Sequence, residues 1–122
     1  MSDPNFVILY VKNPTESAAF YARLLGKPPI ESSPTFAMFA LESGVMLGLW
    51  SAHSVEPAAT PTGGSEIAFA VDGNKTVDAT HTAWRALGLQ VIQAPTDMDF
   101  GHTFVAVDLD GHRLRVFAPS AP

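Results

Sequence analysis

The sequence predicts an α+β domain built from two tandem copies of one strand–helix–three-strand (βαβββ) unit. The first indication is that the strand-like run Phe6–Val11 is matched 60 residues later by residues 66–71. The second is that segments 21–26 and 40–50 are matched by segments 83–88 and 107–117. A repeat of this kind points to paired units, because one small sheet with one helix leaves a face that a second copy can cover.

The elements of the first copy follow from local patterns. The run Phe6–Val11 is apolar, β-branched and aromatic, which is typical of a buried strand. Asn13 and Pro14 offer an N-cap and a first-turn proline for a helix that Gly26 ends. Three further strands are predicted at 30–32, 36–41 and 45–50, with a turn at 42–44 between the last two.

The second copy repeats this order after a linker. Residues 51–64 hold two prolines and two glycines and few large apolar side chains. A strand at 66–71 and a helix at 76–87 follow, and Asp110 with Gly111 gives a strong hairpin signal. The later strands are predicted at 90–94, 103–108 and 112–117.

The repeat therefore predicts a single domain over residues 1–122, with module one at 5–50, the linker at 51–64 and module two at 65–118. We expect the modules to form a curved mixed sheet of eight strands, with helices outside and an internal cleft. A cleft of this kind is the natural site for a small ligand.

Composition excludes several kinds of partner. Seven basic against twelve acidic residues give a net charge of −5, which disfavours nucleic acid because phosphate binding needs a basic surface. No apolar run reaches the roughly 18 residues of a membrane span, and the chain has no cysteine for disulfides or thiolate chemistry. The first four residues lack the features of a signal peptide, so we expect a cytoplasmic protein.

Several motifs resemble the vicinal oxygen chelate superfamily, which is the glyoxalase, bleomycin-resistance and dioxygenase fold. They lie at 9–11, 17–21 and 25–26 in the first half and at 66–72 and 108–112 in the second. The last of these resembles the family's Asp-Pro-Asp-Gly-Asn turn, with Leu109 in place of proline. The resemblance covers nearly the whole chain. It implies paired βαβββ modules, usually a homodimer, and in enzyme members a divalent metal held by four side chains.

The resemblance assigns the four metal-ligand positions to Phe6, Gly48, Glu66 and Arg115. Only Glu66 could bind a cation, since a phenyl ring and a glycine donate nothing and a guanidinium repels positive charge. A shift of one residue, to Asn5 or Ser65, restores no ligand set. We therefore expect no cofactor, and metal-dependent catalysis is disfavoured because catalytic sites need about three protein ligands.

On this assignment Glu66 and Arg115 point into the cleft, and we hypothesise that they form an ion pair where relatives hold a metal. One alternative is that both are solvated charges. Another is that an unpaired Arg115 clamps an anionic ligand.

Strand alternation places Met46, Gly48 and Trp50 on one face, and Phe6 and Phe117 join them in the cleft by the same register. These residues predict an aromatic wall suited to a planar ligand, with Gly48 leaving space beside Trp50. The alternative is that Trp50 and Phe117 are ordinary core residues. Trp84, in the second helix, is expected to pack on the sheet.

His102 precedes the seventh strand, where we expect it at the cleft rim, contacting ligand or acting as an acid or base. The alternative is a solvated loop histidine. Residues 97–100 are predicted to form an acidic loop beside the opening. His53 and His81 are expected at the surface, and Asp108 and Asp110 are expected to form a turn.

The favoured function is a metal-independent protein of the bleomycin-resistance type that sequesters a small aromatic or amphipathic compound. The first alternative is a family enzyme, either with a metal site misplaced here or metal-free, with Glu66 or His102 as the weak catalytic candidates. The second is a structural or regulatory dimer with a vestigial cleft.

Overall fold

The structure, a computed structural model, describes residues 1–120. Its two compact units divide between Pro61 and Thr62. Each unit contains one helix and one mixed four-stranded sheet, in the order strand, helix, three strands. The predicted α+β fold with a repeated βαβββ unit is confirmed.

The first unit contains β1 (Phe6–Val11), α1 (Pro14–Leu25), β2 (Glu31–Ser32), β3 (Phe36–Ala40) and β4 (Met46–Ser51). Its strands lie in the order β1-β4-β3-β2. The outer strand β1 pairs with β4 in parallel, whereas β3 pairs with β4 and β2 in antiparallel fashion. The parallel pair is possible because α1 carries the chain away from the edge of the sheet before it returns.

The ends of α1 form as the sequence predicts. The Asn13 side chain accepts a hydrogen bond from the Glu16 amide at 3.1 Å, and Pro14 occupies the first turn, where its missing N–H costs nothing. Gly26 ends the helix at φ 72° and donates its amide to the Ala22 carbonyl at 2.9 Å. Only glycine adopts this left-handed conformation without strain.

The two faces of the first sheet differ in burial. The face that packs on α1 is closed, with Phe39 and Leu49 fully buried beside the helix residue Tyr21. On the opposite face, Phe6 and Ile8 each keep 43% of their surface exposed. An apolar sheet face left exposed is unusual in a folded domain, and large patches of this kind mark binding sites.

The second unit contains β5 (Glu66–Ala70), α2 (Asn74–Ala86), β6 (Gln90–Met98), β7 (Gly101–Val107) and β8 (Arg113–Pro119), with strand order β5-β8-β7-β6. Trp84 of α2 is buried, and its ring packs edge-on against Phe69 and Phe104, each at 5.4 Å between centroids. The predicted packing of Trp84 on the sheet is confirmed. His81 is half-buried, because one side of its ring packs 5.2 Å from that of Phe104, so the expected surface position holds only in part.

The hairpin that joins β6 and β7 is longer than predicted. β6 continues past the predicted end at 94, and Asp97 and Met98 pair with the first residues of β7. The pairing is irregular between Gln93 and Thr96, a stretch that contains Pro95, which has no N–H to donate. The loop predicted at 97–100 is therefore wrong for its first half.

Neither described helix is long and apolar enough to cross a membrane.

Candidate functional site

The exposed face of the first sheet carries an aromatic depression. Phe6 pairs with Met46 and Ile8 pairs with Gly48 across the parallel strands, so these residues share one face. Met46, Gly48 and Trp50 lie on that face together with Phe6, as alternation predicts. The depression itself is shallow and apolar, and it is lined by Phe6, Ile8, Phe36 and Trp50.

Gly48 lies beneath two of these rings. A Cβ atom built on it would stand 3.0 Å from Cζ of Phe36 and 3.2 Å from Cε1 of Phe6. The expected open space beside Trp50 is therefore wrong, because Phe36 and Phe6 occupy it. The Phe36 ring meets Trp50 edge to face at 6.3 Å between centroids. Glycine thus lets two aromatic rings settle close to the sheet.

Phe36 and Ile8 are the lining residues that sequence reasoning missed. Phe36 is the Cα partner of Trp50 in the neighbouring strand, and Ile8 is the partner of Gly48. The alternation applied to β4 would have found both, had it been extended to β3 and β1. Trp50 itself is half-buried, so it is a surface-lining residue and not an ordinary core residue.

In the second unit, Glu66 and Arg115 form the hypothesised ion pair. Arg115 Nε donates to Glu66 Oε2 at 2.9 Å, and the two side chains are 17% and 33% exposed respectively. Arg115 Nη1 also donates to Gln93 Oε1 at 3.3 Å and to Thr103 Oγ1 at 3.2 Å. The alternative of two solvated charges is wrong, because the guanidinium is held by three side chains.

Aromatic rings adjoin this pair. Cζ of Arg115 lies 5.7 Å from the centroid of the Phe100 ring, within the range of a cation–π contact. Phe100 meets Phe117 edge to face at 5.8 Å. Phe117 follows Arg115 by two residues in β8, so both side chains share one face, as predicted, and Thr103 joins them as the Cα partner of Phe117.

Sequence reasoning missed the Arg115 contacts made by Gln93, Thr103 and Phe100. Thr103 could have been found from the Asp110–Gly111 turn, which sets the pairing of the last two strands. Gln93 and Phe100 could not have been found this way, because the irregular part of β6 and the tight turn after it decide where they lie.

The His102 side chain lies on the sheet face that packs against α2, and Arg115 lies on the opposite face. His102 precedes Thr103 in β7, so its side chain leaves the opposite face of the sheet. Its Nε2 lies 2.8 Å from Oδ1 of Asp78 in α2, and its Nδ1 lies 2.7 Å from Oδ1 of Asp97 in β6. The structure thus places the His102 and Arg115 side chains on opposite faces of this sheet, and a ligand contact or acid–base role for His102 stays a prediction.

The two carboxylates decide the protonation of His102. Its pKa is raised above the ordinary value, first by the hydrogen bond to Asp78 and then by that to Asp97. A protonated imidazole can donate to both oxygens at once, whereas a neutral imidazole has only one N–H. The arrangement ties the β6–β7 hairpin to α2.

The carboxylate of Asp108 has a structural role. Its Oδ1 accepts the backbone amides of Asp110 and His112, each at 2.9 Å. Two such bonds hold the turn before β8, which confirms the expectation that these acids form a turn.

The four positions at which the resemblance expects metal ligands do not fit a metal. Phe6 and Gly48 in the first unit carry no donor atom, and in the second unit Glu66 is bound by the cation of Arg115. Over residues 1–120, no three His, Asp or Glu side chains are grouped so that they could hold a metal ion.

Comparison with known proteins assigns the chain to a family. Phenazine antibiotic resistance protein EhpR of Enterobacter agglomerans is 31% identical over 116 residues, which span 93% of this chain and 89% of that protein. The solution structure of protein ATC0852 from Agrobacterium tumefaciens is 52% identical, with a TM-score of 0.91 over 99% of this chain and 100% of that one. A structure from Burkholderia phytofirmans PsJN, described as a glyoxalase/bleomycin resistance protein/dioxygenase family enzyme, is 21% identical and shares the fold, with a TM-score of 0.84 over 98% of this chain and 100% of that one. The sequence model of the Glyoxalase/Bleomycin resistance protein/Dioxygenase superfamily matches residues 4–116, and the chain belongs to that superfamily.

Proposed function

We propose that this protein binds a small planar aromatic compound on the depression formed by Phe6, Ile8, Phe36 and Trp50, and protects by sequestering it. The observation that carries the proposal is that these four apolar side chains lie together on one sheet face, where two of them are exposed and two are half-buried. Flat rings stack well on aromatic side chains, and the transfer of their apolar surface out of water makes the binding free energy more favourable. A planar heteroaromatic compound is therefore the ligand class that this surface fits best.

The relative EhpR supports the same class of ligand. Its name assigns it resistance to a phenazine antibiotic, and phenazine is a flat system of three fused rings. The similarity covers 93% of this chain and 89% of that protein. We extend the binding of such compounds to this chain as part of the proposal.

Sequestration is favoured over catalysis by the chemistry of the depression. Its lining offers no acid, base or nucleophile, so a bound ring would be held and not altered. The proposal needs no metal, because Phe6 and Gly48 cannot donate to one and Glu66 is engaged by Arg115. The proposal also keeps the expectation from the sequence that the protein is a cytoplasmic homodimer. Sedimentation equilibrium would test the dimer.

Phenazine itself is the probe, and the two tryptophans provide a matched pair of variants. Trp84→Phe leaves Trp50 as the sole tryptophan, so quenching of its fluorescence reports binding at the depression. We expect saturable quenching in that variant. In equilibrium dialysis, Trp50→Ala should weaken binding by roughly tenfold or more, since one aromatic pair contributes about 0.5–1.5 kcal/mol beyond its buried area. Trp84→Phe should bind as the wild type does.

Three results would count against the proposal. Equal phenazine affinity in Trp50→Ala and wild type would remove the depression as the site. A chemically altered phenazine recovered by mass spectrometry would refute sequestration. A loss of affinity after treatment with EDTA, restored by a divalent metal, would refute metal independence.

A further inference from the structure

The guanidinium of Arg115 is held in place by hydrogen bonds, but within the part of the chain that the structure describes one of its three nitrogen atoms makes none. Its Nε is fixed by Glu66, and its Nη1 is fixed by Gln93 and Thr103. Its Nη2 makes no hydrogen bond within residues 1–120. In that part of the chain no buried side-chain nitrogen or oxygen lacks a partner, so Nη2 must be reachable from solvent. The side chain therefore presents one preoriented donor group outward.

This donor stands at the border of an aromatic surface. The Phe100 ring, whose residue is 42% exposed, lies under the guanidinium, and Phe117 packs edge-on against Phe100. A ligand ring that rests on these side chains would bring an acceptor at its own edge to Nη2. Because the guanidinium is already ordered, little side-chain entropy remains to be lost on binding.

Charge decides which acceptor fits. The carboxylate of Glu66 sits on the Nε side of the guanidinium and compensates its positive charge. A second carboxylate at Nη2 would lie close to that of Glu66, and like charges at short range repel. An uncharged acceptor, such as a ring nitrogen or a carbonyl oxygen, receives the hydrogen bond without this repulsion.

We propose that the second unit carries a recognition site for an uncharged hydrogen-bond acceptor borne on an aromatic ring, with Nη2 of Arg115 as the donor and Phe100 and Phe117 as the stacking surface. Glu66 sets the selectivity of this site against anions. The site is argued from the second unit alone, so it stands or falls separately from the depression around Trp50.

The test uses three bicyclic aromatic probes of nearly one shape. Quinoxaline has two ring nitrogens and no charge, naphthalene has the same two rings without an acceptor, and quinoxaline-6-carboxylate adds a negative charge. Titrations of ¹⁵N-labelled protein follow the side-chain amide of Gln93 and, where Arg115 is present, its Nε–H. We expect quinoxaline to shift these signals with an affinity at least fivefold above that of naphthalene and above that of the carboxylate.

Variants in β8 and β5 separate the roles. Arg115→Met should abolish the preference for quinoxaline over naphthalene, whereas Arg113→Met should keep it. Arg113 is a matched control because it is an exposed arginine two residues away on the same strand face. Glu66→Gln keeps the oxygen acceptor for Nε but removes the charge, so it should raise affinity for the carboxylate probe several-fold and leave quinoxaline within about twofold.

The outcomes distinguish this inference from the proposed function. Equal binding of quinoxaline and naphthalene at the Gln93 signal, or an unchanged preference in Arg115→Met, overturns the recognition site even if phenazine quenches Trp50. A carboxylate affinity that does not rise in Glu66→Gln overturns the charge selectivity. Shifts at Gln93 without any quenching of Trp50 support this site while refuting the depression.

Discussion

Substitution of Gly101 by alanine is a stringent test of the second unit. Gly101 opens β7 at φ 148° and pairs with Pro119 of β8. A Cβ atom there would overlap the carbonyl oxygen of Ala118 and would lie 2.9 Å from its carbonyl carbon and 3.0 Å from the amide nitrogen of Ser120. These are backbone atoms of the neighbouring chain segment, so they cannot move aside without disturbing the β7–β8 ladder.

The expected cost combines two terms. The strained backbone conformation costs about 1–3 kcal/mol for a residue with a Cβ atom, and forcing atoms into a packed place costs about 1–3 kcal/mol more. Gly101→Ala should therefore lose about 2–6 kcal/mol of the free energy of unfolding, out of roughly 5–15 kcal/mol for a whole domain. Urea titration followed by far-ultraviolet circular dichroism measures this loss.

Gly63 provides the control for the conformational term. Its φ is 147°, almost the same as that of Gly101, but a Cβ atom there would meet nothing within 4 Å. Gly63→Ala should therefore cost only the conformational term, and less where the surrounding linker can relax. Equal losses in the two variants would refute the argument that close approach of β8 requires glycine at position 101.

Two further predictions concern titration and the turn before β8. Because the pKa of His102 is raised, its protonated form stabilises the fold fully below the ordinary value of 6.5, and this contribution is lost as pH rises through the raised value. His102→Gln should thus cost more stability near pH 5.5 than near pH 9. NMR titration should place the wild-type pKa above 6.5 and lower in Asp78→Asn, and a wild-type value at or below 6.5 would contradict the geometry. Asp108→Ala should lower the free energy of unfolding by about 1–2 kcal/mol because two backbone amides lose their acceptor. Asp108→Asn keeps an oxygen acceptor and should lose less than half as much free energy of unfolding in thermal melts. Equal losses in the two variants would contradict the role of Asp108 as the acceptor that holds this turn.

The fold could be predicted because its signals are local or repeated. Asn13 and Gly26 mark the ends of the first helix by their own conformational preferences, and the pair Asp110–Gly111 fixes the last hairpin. Once that hairpin is known, the alternation of side chains along a strand predicts that Arg115 and Phe117 lie on the same face. None of these inferences requires knowledge of which distant side chain fills a given space.

The predictions that failed depend on which distant side chain fills a given space. The sequence predicts that β7 begins at residue 103, two residues later than it does, so the strand position that decides the direction of the His102 side chain could not be predicted. The space over Gly48 was expected to be open, but Phe36 from the adjacent strand covers it. A glycine shows only that a side chain is missing, and the neighbour that approaches it comes from a separate part of the sequence.

The residues at the positions where the resemblance expects metal ligands are packed against or paired with other residues of their own unit. In the first unit, the lack of a side chain at Gly48 lets Phe6 and Phe36 pack close to the sheet. In the second, Arg115 neutralises Glu66, which would otherwise be a partly buried carboxylate with no cation beside it. A single change such as Arg115→Glu would therefore add a second carboxylate beside the first, and two carboxylates are fewer than the roughly three protein ligands of a catalytic metal site. Such a variant should lose stability and gain no metal affinity in calorimetric titration with Zn²⁺ or Mn²⁺. Tight stoichiometric binding would show that two carboxylates in the second unit are enough to hold a metal.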